Sequence, residues 1–259
     1  MIRNVLITGS SHGIGAATAL AFAQEGCNIG VNYFKDSDGA ERTAAGVREK
    51  GRRAEVYFAD VSDRKSCEDM LERFIKDFGK IDVLVNNAGG ALKIPEGGFE
   101  DMPFDYWDAQ IRLNLSAAAY CSKSAVKDMI SKKTRGKIIN ISSIHSEVTY
   151  VRRKLLPYCA AKAGLNMFTK ALAVEVIKYG INVNCIAPGF ISTKTTTRYN
   201  EAELNGFLRK IPAGHLGSVD DITPMVLFLA DDSKSGFIVG QTFFIDGGQS
   251  IDGAIDAML

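Results

Sequence analysis

The chain has 259 residues, of which 46% are hydrophobic and 24% charged, an ordinary composition for a globular protein with a large core. Its 31 basic and 30 acidic residues leave a formal net charge of +1, which gives no excess to favour nucleic acid or an anionic membrane surface. No apolar run approaches the roughly 20 residues of a membrane span, and the five cysteines form no CxxC pair, so we expect no membrane segment, no metal or disulfide framework, and a cytoplasmic location.

Strand-like apolar runs alternate with helix-like amphipathic segments along the chain. Strands are expected at 5–8, 27–33, 54–59, 81–85, 137–141, 181–186 and 242–245. Helices are expected at 16–24, 39–50, 66–78, 104–131, 158–179 and 222–230. Glycines mark the ends of several of these helices, namely Gly26, Gly51, Gly79 and Gly180.

Several of the expected strands are continuously apolar, the pattern of strands buried on both faces of a parallel sheet. Repeated βα units with right-handed crossovers build a doubly wound sheet. No linker, low-complexity segment or internal repeat divides the chain. The sequence therefore predicts one α/β domain over residues 1–259, a doubly wound parallel sheet of the Rossmann type with helices on both faces.

A glycine-rich turn joins the first strand to the first helix, with the sequence Thr8-Gly9-Ser10-Ser11-His12-Gly13-Ile14-Gly15. Glycine permits a tight turn and lets backbone N–H groups come close to a phosphate, which the helix N-terminus also attracts. The spacing is G-x-x-x-G-x-G rather than the usual G-x-G-x-x-G of dinucleotide sites. The turn predicts a nucleotide phosphate site, with a ligand-free glycine turn as the alternative.

Two side chains that can exchange a proton lie four residues apart at the start of the helix at 158–179. Positions i and i+4 share a helix face, so Tyr158 and Lys162 can point into one cleft, where the ammonium would lower the tyrosine pKa from its usual value of about 10. Ser143 follows the fifth strand, and Asn114 lies within 104–131. Each of these features also has a non-functional interpretation when it is taken alone. Tyr158 and Lys162 would then be a surface tyrosine and a solvated lysine, and Asn114 would lie on a solvated helix face.

Taken together and in this order, the motifs resemble the short-chain dehydrogenase/reductase family, in its single-domain form with a TGxxxGxG turn. The matching segments cover almost the whole chain: TGSSHGIG at 8–15, Asp60-Val61, NNAG at 86–89, Asn114, Ser143, YCAAK at 158–162, Pro188-Gly189 and Asp246-Gly247-Gly248. The resemblance implies an oxidoreductase that transfers hydride between NAD(P) and a ketone or secondary alcohol. The overall pattern is similar to both 3-oxoacyl-carrier-protein reductases and glucose dehydrogenases.

The resemblance implies a role for each catalytic residue. Tyr158 is the general acid/base, Ser143 holds the substrate oxygen, Lys162 binds the nicotinamide ribose and lowers the Tyr158 pKa, and Asn114 holds a water for proton relay. Asp60 and Val61 are implied to contact adenine. The implied cofactor-binding residues are Gly9, Ser11, His12, Gly13, Ile14, Gly15, Tyr33, Phe34, Lys35, Asp60, Val61, Asn87, Ala88, Gly89, Tyr158, Lys162, Pro188, Gly189, Ile191 and Thr193. No metal is implied.

The end of the second strand bears on which cofactor is used. An acidic residue there binds the ribose hydroxyls of NAD and repels the 2′-phosphate of NADP. Asn32 or Tyr33 takes that position, Lys35 is close by, and His12 lies where relatives that use NADP often carry a basic residue. We therefore expect NADP in preference to NAD, unless Asp36 is the acid.

The segment between the catalytic serine and tyrosine departs from the family pattern. It is about two residues longer than usual, and its 145–157 stretch includes Arg152-Arg153-Lys154. These cations either favour an anionic substrate or form a solvated loop tip. His145 is either a substrate contact or a structural residue.

The resemblance leaves the substrate open. A 3-oxoacyl-type or small carbonyl compound is the leading expectation, with a glucose-type sugar as the alternative. A non-catalytic NAD(P)-binding regulatory protein is the competing class. Because relatives are commonly homotetramers, with helices corresponding to 104–131 and 158–179 packed across two-fold axes, a homo-oligomer is implied. We expect a small-molecule partner and no nucleic-acid or membrane partner.

Overall fold

Seven strands form the centre of the protein in a computed structural model that describes residues 3–149, 155–193 and 200–251. The strands are β1 Asn4–Ile7, β2 Asn28–Tyr33, β3 Ala54–Phe58, β4 Val83–Asn86, β5 Lys137–Ile141, β6 Asn182–Pro188 and β7 Thr242–Ile245. All neighbouring pairs are parallel, in the order β3-β2-β1-β4-β5-β6-β7. The strand order reverses between β1 and β4, so a crevice opens there at the carboxyl edge of the sheet.

Helices cover both faces of this sheet. In the described ranges they are α1 Gly13–Gln24, α2 Ser37–Glu49, α3 Arg64–Phe78, α4 Phe104–Ile111, α5 Ala117–Ser131, α6 Leu156–Val176, α7 Glu201–Leu208, α8 Val219–Ala230 and α9 Asp232–Ser235. Helices α1, α2 and α8 pack on one face, and α3, α5 and α6 on the other. The doubly wound parallel sheet predicted from the sequence is confirmed.

The two cores follow from the alternation of side chains along a strand. Val5 and Ile7 of β1 contribute to the core under α1 and α2, whereas Leu6 between them contributes to the core under α3 and α5. All three side chains are fully buried. A strand buried on both faces favours apolar residues on both sides, which is why Val5, Leu6 and Ile7 show no polar alternation.

The helix predicted at 104–131 is interrupted, which corrects that prediction. Helix α4 ends at Ile111, a π-helical segment occupies Arg112–Ser116, and α5 begins at Ala117. A π-helical turn inserts an extra residue while the chain stays helical, so the apolar periodicity does not show the break. Such segments are frequent at functional sites, and Asn114 lies at the centre of this one.

Two short helices were not predicted, and the other predicted bounds are correct to within about three residues. Asn200 precedes α7 and forms a reciprocal capping box with Glu203, a signal that the sequence does contain. Helix α9 has four residues, which is too short for periodicity to detect. Within residues 3–149, 155–193 and 200–251, no helix has both the length and the apolarity needed to cross a bilayer.

Candidate active site

A cleft of about 1040 Å³ opens at the carboxyl edge of the sheet, between the loops that follow β1, β2, β4, β5 and β6. Most of the residues that the sequence predicts for the site line it. They are Gly9, Ser11, His12, Gly13, Ile14, Tyr33, Phe34, Lys35, Asn87, Ala88, Gly89, Ser143, Tyr158, Lys162, Pro188, Gly189, Ile191 and Thr193. Residues from position 9 to position 193 thus meet in one cleft because parallel strands end at the same edge.

The glycine turn is anchored by the loop after β4. The Nδ2 amide of Asn87 donates to the carbonyl oxygens of Thr8 and Gly9, both at 2.9 Å. Gly9 has a φ of 61°, and a Cβ there would lie 2.9 Å from Cα of Ala88. A residue with a side chain would therefore be strained and would push the two loops apart.

The start of α1 fits an anionic ligand. Its N-cap residue, His12, makes no side-chain cap, and the first turn carries no acidic residue. The backbone N–H groups and the positive end of the helix dipole therefore face the cleft without an internal anion. Gly13, at the first position of α1, has a φ of 59° and lies close to Thr193 on the opposite wall. The turn accordingly suits the pyrophosphate of a dinucleotide.

Tyr158 and Ser143, the predicted catalytic pair, line one wall of the cleft, which we call the catalytic wall. The Ser143 side chain hydrogen-bonds the Tyr158 phenol, which lowers the phenol pKa, but burial is the larger effect and leaves that pKa above its ordinary value. The Ser143 hydroxyl oxygen also accepts from the backbone N–H of His145 at 3.2 Å. The serine is thus fixed at the end of β5, beside the tyrosine at the start of α6.

Lys162 is 3% exposed and lies beneath the tyrosine. Its Nζ donates to the carbonyl oxygen of Ile141 at 2.8 Å and lies 5.7 Å from the centre of the Tyr158 ring. Burial lowers the pKa of Lys162 to about 8. Burial of the phenol keeps the Tyr158 pKa above its ordinary value, and the expected lowering of that pKa by Lys162 stays a prediction.

Asn114 is 2% exposed, so the alternative in which it lies on a solvated helix face is wrong. It does not line the cleft. Its Oδ1 accepts from the backbone N–H of Gly90 at 2.8 Å, and its Nδ2 donates to the Gly90 carbonyl oxygen at 3.1 Å and to Oε1 of Gln110 at 2.9 Å. The asparagine thereby fixes the loop after β4 to the π-helical segment. Its implied role in holding a water stays a prediction.

Gly89 lies between Asn114 and Lys162. A Cβ at this position would be 2.8 Å from Oδ1 of Asn114 and 3.3 Å from Nζ of Lys162. These three residues are therefore packed in one layer that has no room for a side chain at position 89. The glycine is needed for close approach rather than for an unusual φ.

Gly15, Asp60 and Val61 are predicted cofactor residues that the structure leaves outside the cleft lining. A Cβ on Gly15 would be 2.5 Å from Nδ2 of Asn87, so this glycine permits close packing of α1 on the loop after β4. Oδ1 of Asp60 accepts from the backbone N–H and the hydroxyl of Ser62 at 2.9 and 2.7 Å. Val61 is buried. Contact of Asp60 and Val61 with adenine stays a prediction.

At the end of β2, Asn32 and Tyr33 are the two candidates for the position that an acid takes in NAD-binding sites, and the structure treats them differently. Asn32 is buried, accepts from the Gly9 backbone N–H at 2.9 Å, and donates to carbonyl oxygens at the ends of β2 and β3. It is used to hold the glycine turn and does not line the cleft, whereas Tyr33 does. Nζ of Lys35 lies 5.7 Å from the Phe34 ring centre, at the same rim.

Asp36 also lines the cleft and was considered from the sequence only as an alternative acid. Its Oδ2 lies 3.7 Å from Nδ1 of His12, and its Oδ1 lies 3.9 Å from a guanidinium nitrogen of Arg42. The same Oδ1 accepts from the backbone N–H of Gly39 at 2.9 Å and caps α2. The cleft therefore contains a carboxylate next to the histidine predicted to face a 2′-phosphate.

Apolar residues that sequence reasoning missed also line the cleft. They are Ala91, Leu92, Ile94, Leu155 and Phe190. Leu92 and Ile94 are more than one-third exposed in a segment without regular secondary structure. The sequence does show these apolar residues in a segment without helix or strand periodicity, but periodicity does not assign a role to single residues in loops.

His145 lines the cleft beside the tyrosine. Its Nδ1 is 3.1 Å from the Val148 carbonyl oxygen, and its ring meets the Tyr158 ring edge-on with centroids 5.9 Å apart. Both the structural and the substrate-contact interpretations therefore retain support. The basic residues at 152–154 lie outside the described residues.

Comparisons with known proteins agree with this geometry. The family model described as enoyl-(acyl carrier protein) reductase matches residues 9–250. The chain is similar to a 3-oxoacyl-[acyl-carrier-protein] reductase of Synechocystis sp., at 37% identity over 94% of this chain and 95% of that protein. It is similar to glucose 1-dehydrogenase 2 of Bacillus subtilis, at 32% identity over 96% of this chain and 95% of that protein. Among solved structures, acetoin dehydrogenase of Enterobacter cloacae has a TM-score of 0.87 and 34% identity, with 98% of both chains covered.

Proposed function

Because the chain belongs to the short-chain dehydrogenase/reductase family and transfers hydride between a nicotinamide cofactor and a ketone or secondary alcohol, we propose that it is an NADP-preferring reductase of ketones with an apolar flank. The proposal rests on one observation above all. The Ser143 side chain hydrogen-bonds the Tyr158 phenol, and both residues line the same cleft as the glycine turn.

The chemistry of this pair suits proton donation to a carbonyl oxygen. Since burial raises the pKa of Tyr158, the phenol keeps its proton at neutral pH and can donate it to the substrate oxygen. The Ser143 hydroxyl then donates to that oxygen or to the phenolate that remains. The buried Lys162 ammonium, 5.7 Å from the ring, stabilises the phenolate until it regains a proton. The cofactor, when bound, supplies the hydride to the carbonyl carbon.

The apolar lining of the cleft favours an acyl-type ketone over a sugar. A site that recognises a sugar needs several polar side chains, because each buried hydroxyl must find a hydrogen-bond partner. Here Leu92, Ile94, Leu155 and Phe190 line the cleft, and Lys93 is the charged residue of the segment that contains Leu92 and Ile94. A 3-oxoacyl-type or small apolar carbonyl compound therefore fits better than a glucose-type substrate.

The preference for NADP is supported by the charges at the rim. His12 and Lys35 both line the cleft near the end of β2, where a 2′-phosphate would enter. The position that an acid takes in NAD-binding sites is Asn32 or Tyr33, neither of which is anionic. Charge-assisted contacts to a phosphate are stronger than neutral ones, so the Lys35 ammonium, together with His12 as a hydrogen-bond donor, favours the phosphorylated cofactor.

A turnover assay tests the function. Purified protein is mixed with NADPH or NADH and with matched substrates: a 3-oxoacyl thioester, a small apolar ketone, and glucose with the oxidised cofactors. We expect turnover of the apolar ketones with NADPH at a higher kcat/KM than with NADH. Turnover of glucose alone would favour the sugar alternative, and cofactor binding without any turnover would favour the regulatory alternative.

We also propose a cytoplasmic homotetramer. Exposed apolar side chains on the relevant helices support assembly, since Phe104, Met167 and Val174 are 78%, 63% and 76% exposed in the single chain. The cysteines are all unpaired thiols, which suits a reducing compartment. Sedimentation equilibrium tests the assembly, because a mass near that of one chain would contradict it.

A further inference from the structure

We propose that Phe207 sets the size of the apolar group that the cleft accepts, by holding the ring of Phe190 in place. The proposal deepens the proposed function and rests on its ketone substrate with an apolar flank. It assigns a positioning role to a side chain of α7 that does not itself line the cleft. Phe207 acts on the substrate only through Phe190, which does line the cleft.

The stacking of the two rings is the first support. The ring centroids of Phe190 and Phe207 are 4.2 Å apart, and the two ring planes are inclined by 25°. Stacked aromatic rings attract each other beyond the area that they bury, so each ring restricts the rotation of the other. Because one face of the Phe190 ring is covered by Phe207, only its other face and its edge remain for contact with a ligand.

The backbone of Phe190 is held independently of α7, which is the second support. Its carbonyl oxygen accepts from the backbone N–H of Gly217 at 3.0 Å, and the backbone N–H of Ser192 donates to the Gly217 carbonyl oxygen at 2.7 Å. Ile191, between them, forms a β-bridge with Gly217. Loss of the Phe207 ring therefore leaves the Phe190 backbone in place and frees its side chain to change rotamer.

The attachment of α7 is the third support. None of its residues is buried, and its first turn is closed by the local capping box of Asn200 and Glu203. Beyond its C-terminal end the chain reaches Ile211, which is buried and lies close to Gly247 after β7. Because α7 contributes no buried residue, removal of the Phe207 ring should leave the core intact and affect the stack locally.

The Phe190 ring decides how much room an apolar flank has. Among the described apolar residues that line the cleft outside the predicted cofactor site, it is the only aromatic one. While the ring is stacked, a small flank can pack against it; once the ring turns away, a small flank loses that contact and a bulky flank gains space. A single methylene changes discrimination in an apolar pocket by about 10- to 200-fold, so a rotated ring should change it measurably.

Four substitutions test this role. Phe207→Ala removes the stacking ring, whereas Phe207→Tyr keeps it. Phe190→Ala removes the ring that lines the cleft. Leu204→Ala is the matched control, because Leu204 is half-buried on the same helix and also lies outside the cleft lining. Thermal unfolding and the dissociation constant of NADPH check that the fold and the cofactor site are retained in each variant.

The measurement is the ratio of kcat/KM for two 3-oxo esters that differ only in their flank, ethyl acetoacetate with a methyl group and ethyl benzoylacetate with a phenyl group. In Phe207→Ala we expect KM for ethyl acetoacetate to rise about 3- to 10-fold with kcat unchanged to within about twofold. KM for ethyl benzoylacetate should fall, so the ratio should shift about 5- to 20-fold towards the bulky ester. Phe207→Tyr and Leu204→Ala should keep the wild-type ratio to within about twofold.

A double-mutant cycle shows whether Phe207 acts through Phe190. In the Phe190→Ala background, Phe207→Ala should shift the ratio by less than about twofold, because the ring that it positions is already gone. A shift as large as in the wild-type background would overturn the proposal. So would a shift in Leu204→Ala equal to that in Phe207→Ala, since a general loosening of α7 would then explain both.

A binding measurement separates this proposal from the proposed function. Calorimetry on the NADPH-saturated protein gives the dissociation constants of the two product alcohols, ethyl 3-hydroxybutanoate and ethyl 3-hydroxy-3-phenylpropanoate, in complexes that cannot react. If the wild type reduces neither ester, the proposed function is wrong, yet the role of Phe207 stands provided that Phe207→Ala shifts the ratio of these constants towards the phenyl compound. An unchanged ratio overturns the role of Phe207 alone. If neither alcohol binds to the wild type or to Phe207→Ala, both proposals fall.

Discussion

Burial shifts the pKa values of two side chains that share the catalytic wall, in opposite directions. Burial disfavours whichever form is charged, so it raises the pKa of Tyr158 and lowers that of Lys162 to about 8. At pH 7 the tyrosine is therefore neutral and most of the lysine is still protonated. The wall holds a protonated phenol, ready to act as an acid, above a cation that stabilises its conjugate base.

Replacing the phenol tests its role directly. Tyr158→Phe removes the transferable proton but keeps the ring, so we expect kcat to fall about 10²- to 10⁴-fold. The dissociation constant of NADPH should stay close to that of the wild type. Steady-state kinetics and a cofactor titration measure the two quantities. Retention of more than a few per cent of activity would contradict the assignment of Tyr158.

The depressed lysine pKa predicts how stability depends on pH. In the unfolded chain Lys162 titrates near 10.5, and in the folded protein at about 8, so between these values the unfolded state binds more protons and stability rises with pH. Below pH 8 the folded protein carries the full cost of a buried charge. Relative to Lys162→Met, the wild type should gain about 3 kcal/mol of unfolding free energy between pH 7 and pH 10.5.

Urea unfolding of the wild type and Lys162→Met at several pH values measures this difference. Groups that titrate alike in both proteins contribute equally to both unfolding free energies, so their contributions cancel. Lys123→Met is a suitable control, because Lys123 is exposed on α5. The stability difference between this control and the wild type should not vary with pH. A constant difference for Lys162→Met as well would mean that the lysine pKa is not depressed.

The π-helical segment and the loop after β4 form one unit at the scale of secondary-structure elements. Asn114 bonds both backbone groups of Gly90, and Gly89 lies against the asparagine and Lys162. A straight α-helix through 104–131 would rotate the residues after the insertion by about 100°. The interruption therefore decides which side chain of this helix reaches the loop.

Gly89→Ala tests that contact. The added methyl would be 2.8 Å from Oδ1 of Asn114 and 3.3 Å from Nζ of Lys162, so the lysine or the loop must move. A displacement of catalytic groups by about 1 Å typically costs up to 10²-fold, and we expect kcat/KM to fall between about 10- and 100-fold. Gly206→Ala on α7 is the matched control, because a Cβ there contacts nothing within 4 Å. Equal activity of both variants would refute the packing argument.

Sequence periodicity was sufficient for most elements because β1, β4, β5 and β6 are buried on both faces and are rich in apolar residues. It was insufficient where the backbone departs from a regular period. The π-helical segment keeps the amphipathic pattern of its neighbours, and its presence depends on the bonds that Asn114 makes to residues 24 positions away. Such long-range contacts leave no local signal.

The meeting of the proposed catalytic residues in one cleft was predictable at the scale of the whole molecule for a different reason. Ser143, Tyr158 and Lys162 belong to motifs with fixed order, and strand ends in a parallel sheet meet at one edge. The apolar lining of the cleft was not predictable, because residues such as Leu92 and Phe190 come from loops without periodicity. The sequence also did not distinguish Asn32, which is buried, from Asp36, which lines the cleft.

The basic segment at 152–154, which lies outside the described residues, gives a prediction that concerns the charge of the substrate. Charge runs on loops are usually solvated, so replacing Arg152, Arg153 and Lys154 together with alanine should leave the kinetics of neutral and anionic ketones unchanged. Parallel assays on a ketone ester and its free acid provide the comparison. A loss confined to the acid would assign these residues to substrate binding.

The strand order also has a consequence for synthesis on the ribosome. Strands β1, β2 and β3 pair among themselves, and each later strand lies beside one already made: β4 beside β1, then β5, β6 and β7 in turn. A nascent chain can therefore extend its sheet outward as it emerges, without inserting a late strand between two early ones. We expect the glycine turn that contains Gly9 to be structured before Tyr158 has been translated, and the loop that carries Pro188 to be structured after both.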